Sequence, residues 1–169
     1  YSIIPDQIEA GTYMAAVAAT GGCVTIRNII PKHMDCITAK LEEMGIQIDE
    51  HGDSIKVTRT GDIQRTNIKT MPYPGFHTDM QPQMAACLCL AKGGSSIINE
   101  GIWENRYRYV DEFKRMGAEI QVNGKVAVVE GVGHLTGAPL RACDLRAGAA
   151  MVIAGLAASG TTEISCIHY

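Results

Sequence analysis

The sequence has no excess of basic charge. Its 169 residues carry 15 Lys and Arg against 18 Asp and Glu, a net charge of -3, so the electrostatic footprint that nucleic-acid binding requires is missing. Nucleic acid is therefore not an expected partner. A long hydrophobic run is lacking too. The longest, Ala147 to Ala158, contains Gly148 and Gly155 and falls short of the ~20 residues that cross a bilayer, so a buried helix is expected there and no membrane partner. No Cys-x-x-Cys pair occurs among the six cysteines (Cys23, Cys36, Cys87, Cys89, Cys143 and Cys166). His33, Cys36, Cys87 and Cys89 have the wrong spacing for a paired zinc site, and neither a metal nor a cofactor is expected. A chain this long and 46% apolar needs no disulfide staples, which predicts reduced, mostly buried thiols and a cytoplasmic location. Finally, no signal-peptide pattern occurs within these residues, and none is expected. The chain starts at Tyr1 inside an apolar Tyr-Ser-Ile-Ile segment and stops at Ile167-His168-Tyr169 in what reads as a strand. Both ends are expected to be cut from a longer protein.

What is present is glycine, 18 residues of it, with many alanines, a composition suited to tight helix packing. From Asp6 a capped helix runs to Thr20, ended by Gly21-Gly22, and Cys23 to Ile29 alternates as a half-buried strand does. Pro31 opens a second helix, with Met34, Ile37, Leu41 and Met44 at helical spacing and Gly45 as its C-cap. Ile46 to Ile48 and Ile55 to Val57 flank His51-Gly52-Asp53 as a hairpin. The same order of elements then recurs. Asn67 to Lys69 leads to a helix from Asp79, Ser96 to Ile98 is a strand, Val110 to Met116 a helix ending at Gly117, and the next hairpin turns at Asn123-Gly124. A third copy begins at Leu140, with a helix from Asp144 to Ala158 and a strand from Gly160 to Ile164. The expected organisation is one α/β domain of three βαβαββ units, about 1–60, 61–131 and 132–169, the third incomplete.

Asp6, Asp79 and Asp144 hold equivalent places, each opening the first helix of its unit, and each is expected to cap it, with Thr78 as the alternative cap in the second unit. Only Asp79 is preceded by a rigid turn, Tyr73-Pro74-Gly75-Phe76-His77. A cap alone needs no such turn, so a carboxylate presented for chemistry at the positive end of a helix is expected.

These residues carry a resemblance. Ile4-Pro5-Asp6 with Ile8-Glu9 and Gly11-Thr12, Tyr73-Pro74-Gly75-Phe76 with Thr78-Asp79-Met80-Gln81, Glu104-Asn105-Arg106, and Leu135 with Gly137-Ala138 and Asp144-Leu145-Arg146-Ala147 resemble, in order, the second half of the UDP-N-acetylglucosamine 1-carboxyvinyltransferases, an enolpyruvyl transferase family. The resemblance implies an inside-out α/β barrel domain, pseudo-threefold, with a substrate cleft facing a partner domain that these residues do not include. It implies transfer of enolpyruvyl from phosphoenolpyruvate to the 3-hydroxyl of UDP-N-acetylglucosamine in peptidoglycan synthesis, by addition and then elimination of phosphate. Such chemistry needs a proton donor, a proton acceptor and cations for the anionic substrate. The resemblance assigns the sugar hydroxyl to Asp79, a backbone contact with the nucleotide sugar to Ile102, and the cleft arginines to Arg106 and Arg146. A structural alternative for both arginines is a salt bridge, that of Arg146 with Asp144 or a neighbouring carboxylate.

The chain departs from the family in two ways. His77 stands where the family usually has proline, beside the Asp79 motif. The family's early Lys-Asn pair, its mobile loop with a reactive Cys or Asp, and its late Arg have no counterpart, so these residues alone are expected to be inactive. Two other readings stand beside this one: a 3-phosphoshikimate 1-carboxyvinyltransferase-like enzyme, and a non-catalytic binding protein of the same fold.

Overall fold

A computed structural model describes residues 1–169. In the first unit α1 (Gln7–Thr20) leads through β1 (Gly22–Arg27) and a short helical turn to α2 (Asp35–Glu43), then to β2 (Gln47–His51) and β3 (Ser54–Arg59). Asp6 caps α1 by accepting the Ile8 amide at 2.8 Å. The three strands form an antiparallel sheet in the order β1-β3-β2. His51 pairs with Ser54, so Gly52-Asp53 is a two-residue hairpin loop, with Gly52 at φ 59°.

The second unit is fuller. It comprises β4 (Ile68–Lys69), the helical turn Thr78–Met80 running straight into α3 (Gln81–Cys89), β5 (Ser95–Asn99), α4 (Val110–Arg115), β6 (Glu119–Asn123) and β7 (Val126–Glu130). Its sheet has the order β4-β5-β7-β6, with β4 parallel to β5. The third unit has β8 (Pro139–Arg141), α5 (Leu145–Ala157) and β9 (Glu163–Ser165), with β8 and β9 parallel.

Two complete units were expected, but the leading strand of the first does not form. Residues 1–4 pair with nothing, and Ile3 and Ile4 are exposed. In the second unit β4 is held by burial of Ile68 and by the Asn67 carboxamide, whose oxygen accepts the Ile97 amide at 2.9 Å; residues 1–4 have neither anchor. The expected half-burial of β1 fails for the same reason. With nothing on its outer side it is an edge strand, and five of its six residues are exposed.

α1, α3 and α5, the first helix of each unit, pack on one another at the centre, and the sheets lie around them with alternate residues turned inward. This is the inside-out α/β arrangement. α3 is buried along its whole length. Gly11 on α1 makes the close approach possible, since a Cβ there would lie 2.8 Å from Met80 Sδ and 2.9 Å from Ile37 Cδ1. Beneath α4, Phe113 and Tyr109 are buried edge to face with ring centroids 5.1 Å apart, a favourable aromatic geometry. The thiols are less buried than expected: only Cys87 and Cys89, both on α3, are fully buried, and Cys23 on the edge strand is exposed. No helix is long and apolar enough to cross a membrane.

Candidate active site

The rigid turn is anchored from below by Phe76, which is buried. It is closed by the Met71 amide donating to Phe76 O at 3.0 Å and the Gly75 amide donating to Pro72 O at 2.8 Å. The chain then enters the helical turn Thr78–Met80. The cap at this point is His77, not Asp79. His77 Nδ1 accepts the Asp79 amide at 3.1 Å, which requires an imidazole unprotonated at that nitrogen. The expectation that Asp79 caps its helix is thereby corrected. The ring does what the carboxylate does in the other two units, and the carboxylate is released.

Two arginines take up the released carboxylate. Arg106 Nη2 donates to Oδ1 at 2.8 Å, and Arg146 Nε approaches Oδ2 at 3.4 Å. Asn105, at φ 55°, turns the loop just before Arg106. Arg146 stands in the first turn of α5, whose cap is Asp144 accepting the Ala147 amide at 2.8 Å. Both arginines thus form the expected salt bridges, and the carboxylate that Arg146 meets is Asp79 and not Asp144. All three side chains are a fifth to a third exposed, so the cluster sits at a rim that a ligand can reach. Two guanidinium groups against one carboxylate leave one positive charge over, and Arg106 Nε is buried with no hydrogen-bond partner. An anion fits this cluster, with planar donors suited to a carboxylate or phosphate. A carboxylate held this way at an exposed rim has the chemistry of a proton acceptor.

Ile102 lies on the loop that carries Arg106. Its amide already donates to Glu100 Oε1 at 2.9 Å, which leaves the carbonyl as its available backbone group. Glu100 itself was not singled out from the sequence. It is fully buried with no salt-bridge partner, and its carboxylate accepts from Thr70 Oγ1 (2.7 Å), Thr78 Oγ1 (3.0 Å), Gln81 Nε2 (3.4 Å) and the amides of Ile102 and Trp103 (2.9 and 3.2 Å). The signal for it was the alternation of β5, which buries Ser96 and Ile98 and, extended by one step, buries position 100 as well.

The geometry meets the comparisons with known proteins here. A family model described as EPSP synthase (3-phosphoshikimate 1-carboxyvinyltransferase) matches residues 1–169. The chain belongs to the carboxyvinyltransferase family. Its relatives within that family carry the nucleotide-sugar name. It is 62% identical over all 169 residues to the UDP-N-acetylglucosamine 1-carboxyvinyltransferase of Clostridium botulinum, covering 40% of that protein. It is 54% identical to the protein of the same name from Desulfofundulus thermocisternus, covering 69% of it. Among solved structures, the enolpyruvyl transferase NikO from Streptomyces tendae superposes with a TM-score of 0.84 at 28% identity, over 99% of this chain and 40% of that one. EPSP synthase from Acinetobacter baumannii, with a TM-score of 0.74 at 15% identity over 97% of this chain and 40% of that one, shares the fold. The chain spans about 40% of the length of the first curated relatives it matches.

In this carboxyvinyltransferase chain burial holds two thiols and two phenols of the core neutral. Burial pushes the Cys87 and Cys89 thiols up to about 12, so neither is a nucleophile near neutral pH. Burial also raises Tyr107 to about 12 and Tyr109 well above its usual value. Tyr109 Oη donates to Gln81 Oε1 at 2.8 Å, which makes it a brace for the turn that carries Asp79.

Proposed function

We propose that this chain supplies one wall of a nucleotide-sugar enolpyruvyl transferase, which moves the enolpyruvyl group of phosphoenolpyruvate to the 3-hydroxyl of UDP-N-acetylglucosamine in peptidoglycan synthesis. The observation that carries the reading is the clamp of Asp79 between Arg106 and Arg146. It brings a proton acceptor and two anion-binding groups to one exposed rim. In this reading Asp79 takes the sugar hydroxyl proton, the arginines hold the phosphate or carboxylate of phosphoenolpyruvate, and the Ile102 carbonyl meets the nucleotide sugar. A further domain of the same protein closes the other side, and the residues described here have no transferase activity on their own. In this reading the enzyme works in the cytoplasm.

The test is phosphate release by the full-length protein. Release that requires both substrates is expected, and release with either one alone, or none, refutes the reading. A shikimate-type enzyme is the second reading, suggested by the name of the matching family model. Thermal stabilisation of the full-length protein by UDP-N-acetylglucosamine and not by shikimate 3-phosphate decides against it. A non-catalytic binding protein would be stabilised by the nucleotide sugar and release no phosphate.

A further inference from the structure

We infer that Glu100 is a positioning residue of the site. Its carboxylate ties the Thr78–Gln81 turn to the loop from Gly101 to Arg106 and so sets the separation of Asp79 and Arg106. The inference rests on the function proposed above for its kinetic arm and on geometry alone for its structural arm.

Glu100 is completely buried, and a carboxylate in that position is tolerated only when its oxygens are fully partnered. The partners fall into two sets. Oε2 takes Thr78 Oγ1 and Gln81 Nε2, the residues on either side of the Asp79-Met80 pair. Oε1 takes the amides of Ile102 and Trp103, which begin the loop ending in Arg106. Thr70 Oγ1, at the end of the β4 segment, donates to Oε1 and accepts the Gly101 amide at 2.8 Å. The loop is seated tightly there, because a Cβ on Gly101 would stand 2.5 Å from Thr70 O. One side chain therefore grips both ends of the Asp79–Arg106 pair without touching either member.

An acceptor with two equivalent oxygens is essential to this grip. In Glu100→Gln one oxygen becomes an NH2 donor. Placed at Oε1 it faces two amides that can only donate. At Oε2 it faces the Thr78 hydroxyl, which can turn to accept, and the Gln81 carboxamide nitrogen, which only donates while the Gln81 oxygen accepts from Tyr109 Oη, so the Gln81 bond is lost. Either orientation loosens one set of bonds and lets the turn and the loop move apart.

The experiment uses the full-length protein with Glu100→Gln and, as a milder change that removes a single donor, Thr78→Val. In crystal structures of the variants the Asp79 Oδ1 to Arg106 Nη2 distance is expected to open from 2.8 Å to beyond hydrogen-bond reach. In steady-state kinetics kcat is expected to fall about 10- to 100-fold in Glu100→Gln and less in Thr78→Val, with KM for both substrates little changed, the signature of a misplaced group. In an Asp79→Asn background Glu100→Gln should cost no further activity, because it acts through that pair. Independent, multiplicative losses overturn the inference, as does an unchanged Asp79–Arg106 distance in the variants. A Glu100→Gln protein that does not fold shifts the decision to Thr78→Val, where wild-type kcat and geometry overturn it. If wild-type full-length protein releases no phosphate, the functional reading falls, and the variant structures still decide the role of Glu100.

Discussion

Asp6 and Asp79 stand at the same point in two copies of one repeat, and only Asp6 does what the position ordinarily asks. Asp6 caps α1 through the Ile8 amide, whereas Asp79 leaves the capping to His77 and binds two arginines from later in the chain. Asp144 sides with Asp6. The difference lies in what precedes each residue. Asp6 and Asp144 come directly before their helices, while Asp79 is carried two residues past its cap by a turn locked over Phe76. The repeat places the same residue three times, and a different entry turn frees one copy from capping and leaves its carboxylate to the two arginines.

The largest effect is expected from neutralising the odd copy. Asp79→Asn in the full-length protein should lower kcat about 10²- to 10⁴-fold, the range for losing a general base, with little change in melting temperature. Asp6→Asn should leave kcat untouched, and equal losses at the two positions would erase the distinction. Next come the arginines. Arg146→Lys keeps the charge but loses the planar donor set, and kcat/KM for phosphoenolpyruvate should drop about 10- to 100-fold, as for one charged hydrogen bond of about 1.5–3 kcal/mol. An unchanged value would reduce the Arg146–Asp79 contact to a surface ion pair.

The two caps provide a smaller, matched pair of changes. Asp6→Ala and Asp144→Ala should each destabilise the fold by about 0.5–2 kcal/mol in denaturant titrations. Only Asp144→Ala should also slow catalysis, because Arg146 stands two residues inside the helix it caps. Smallest is a pH effect that separates α3 from the edge strand. Cys87 and Cys89 stay protonated in the fold until about pH 12, whereas the same thiols in the unfolded chain ionise near their ordinary value of about 8.5. Above that value the unfolded state binds fewer protons than the folded one, so stability should decline gradually as pH rises from there towards 12. A thiol reagent at neutral pH should label Cys23 and reach Cys87 and Cys89 only on unfolding. Rapid labelling of all three would contradict the burial of α3.

The helices, both hairpins and the repeat were legible because each is written in local signals: capping residues, helical spacing, and a glycine at each hairpin turn. Convergence of Asp79, Arg106 and Arg146 was legible only through the family resemblance, since nothing local joins residues so far apart. Two features escaped for physical reasons. His77 gave no sign that its ring would cap, because a histidine at a helix start is not an ordinary acceptor. Glu100 was passed over because a lone acidic residue reads as surface, and its burial depends on donors drawn from three other segments. The missing first strand marks the opposite limit, since Ile3 and Ile4 have the composition of a strand but are exposed and lack the anchors that hold β4.

The Arg146–Asp79 contact spans 67 residues of sequence and the Arg106–Asp79 contact 27, which gives the site a time order as well as a geometry. Contacts between distant residues form late because more chain must be closed into a loop first. During synthesis from the N-terminus, Asp79 would emerge, find Arg106, and wait through α4, β6, β7 and β8 for its other partner. A nascent chain interrupted before α5 would hold an aspartate neutralised by one arginine, with no cation to spare for a substrate. In the proposed reading the site gains its spare positive charge only with the third unit, which makes that charge a report that this part of the chain has finished folding.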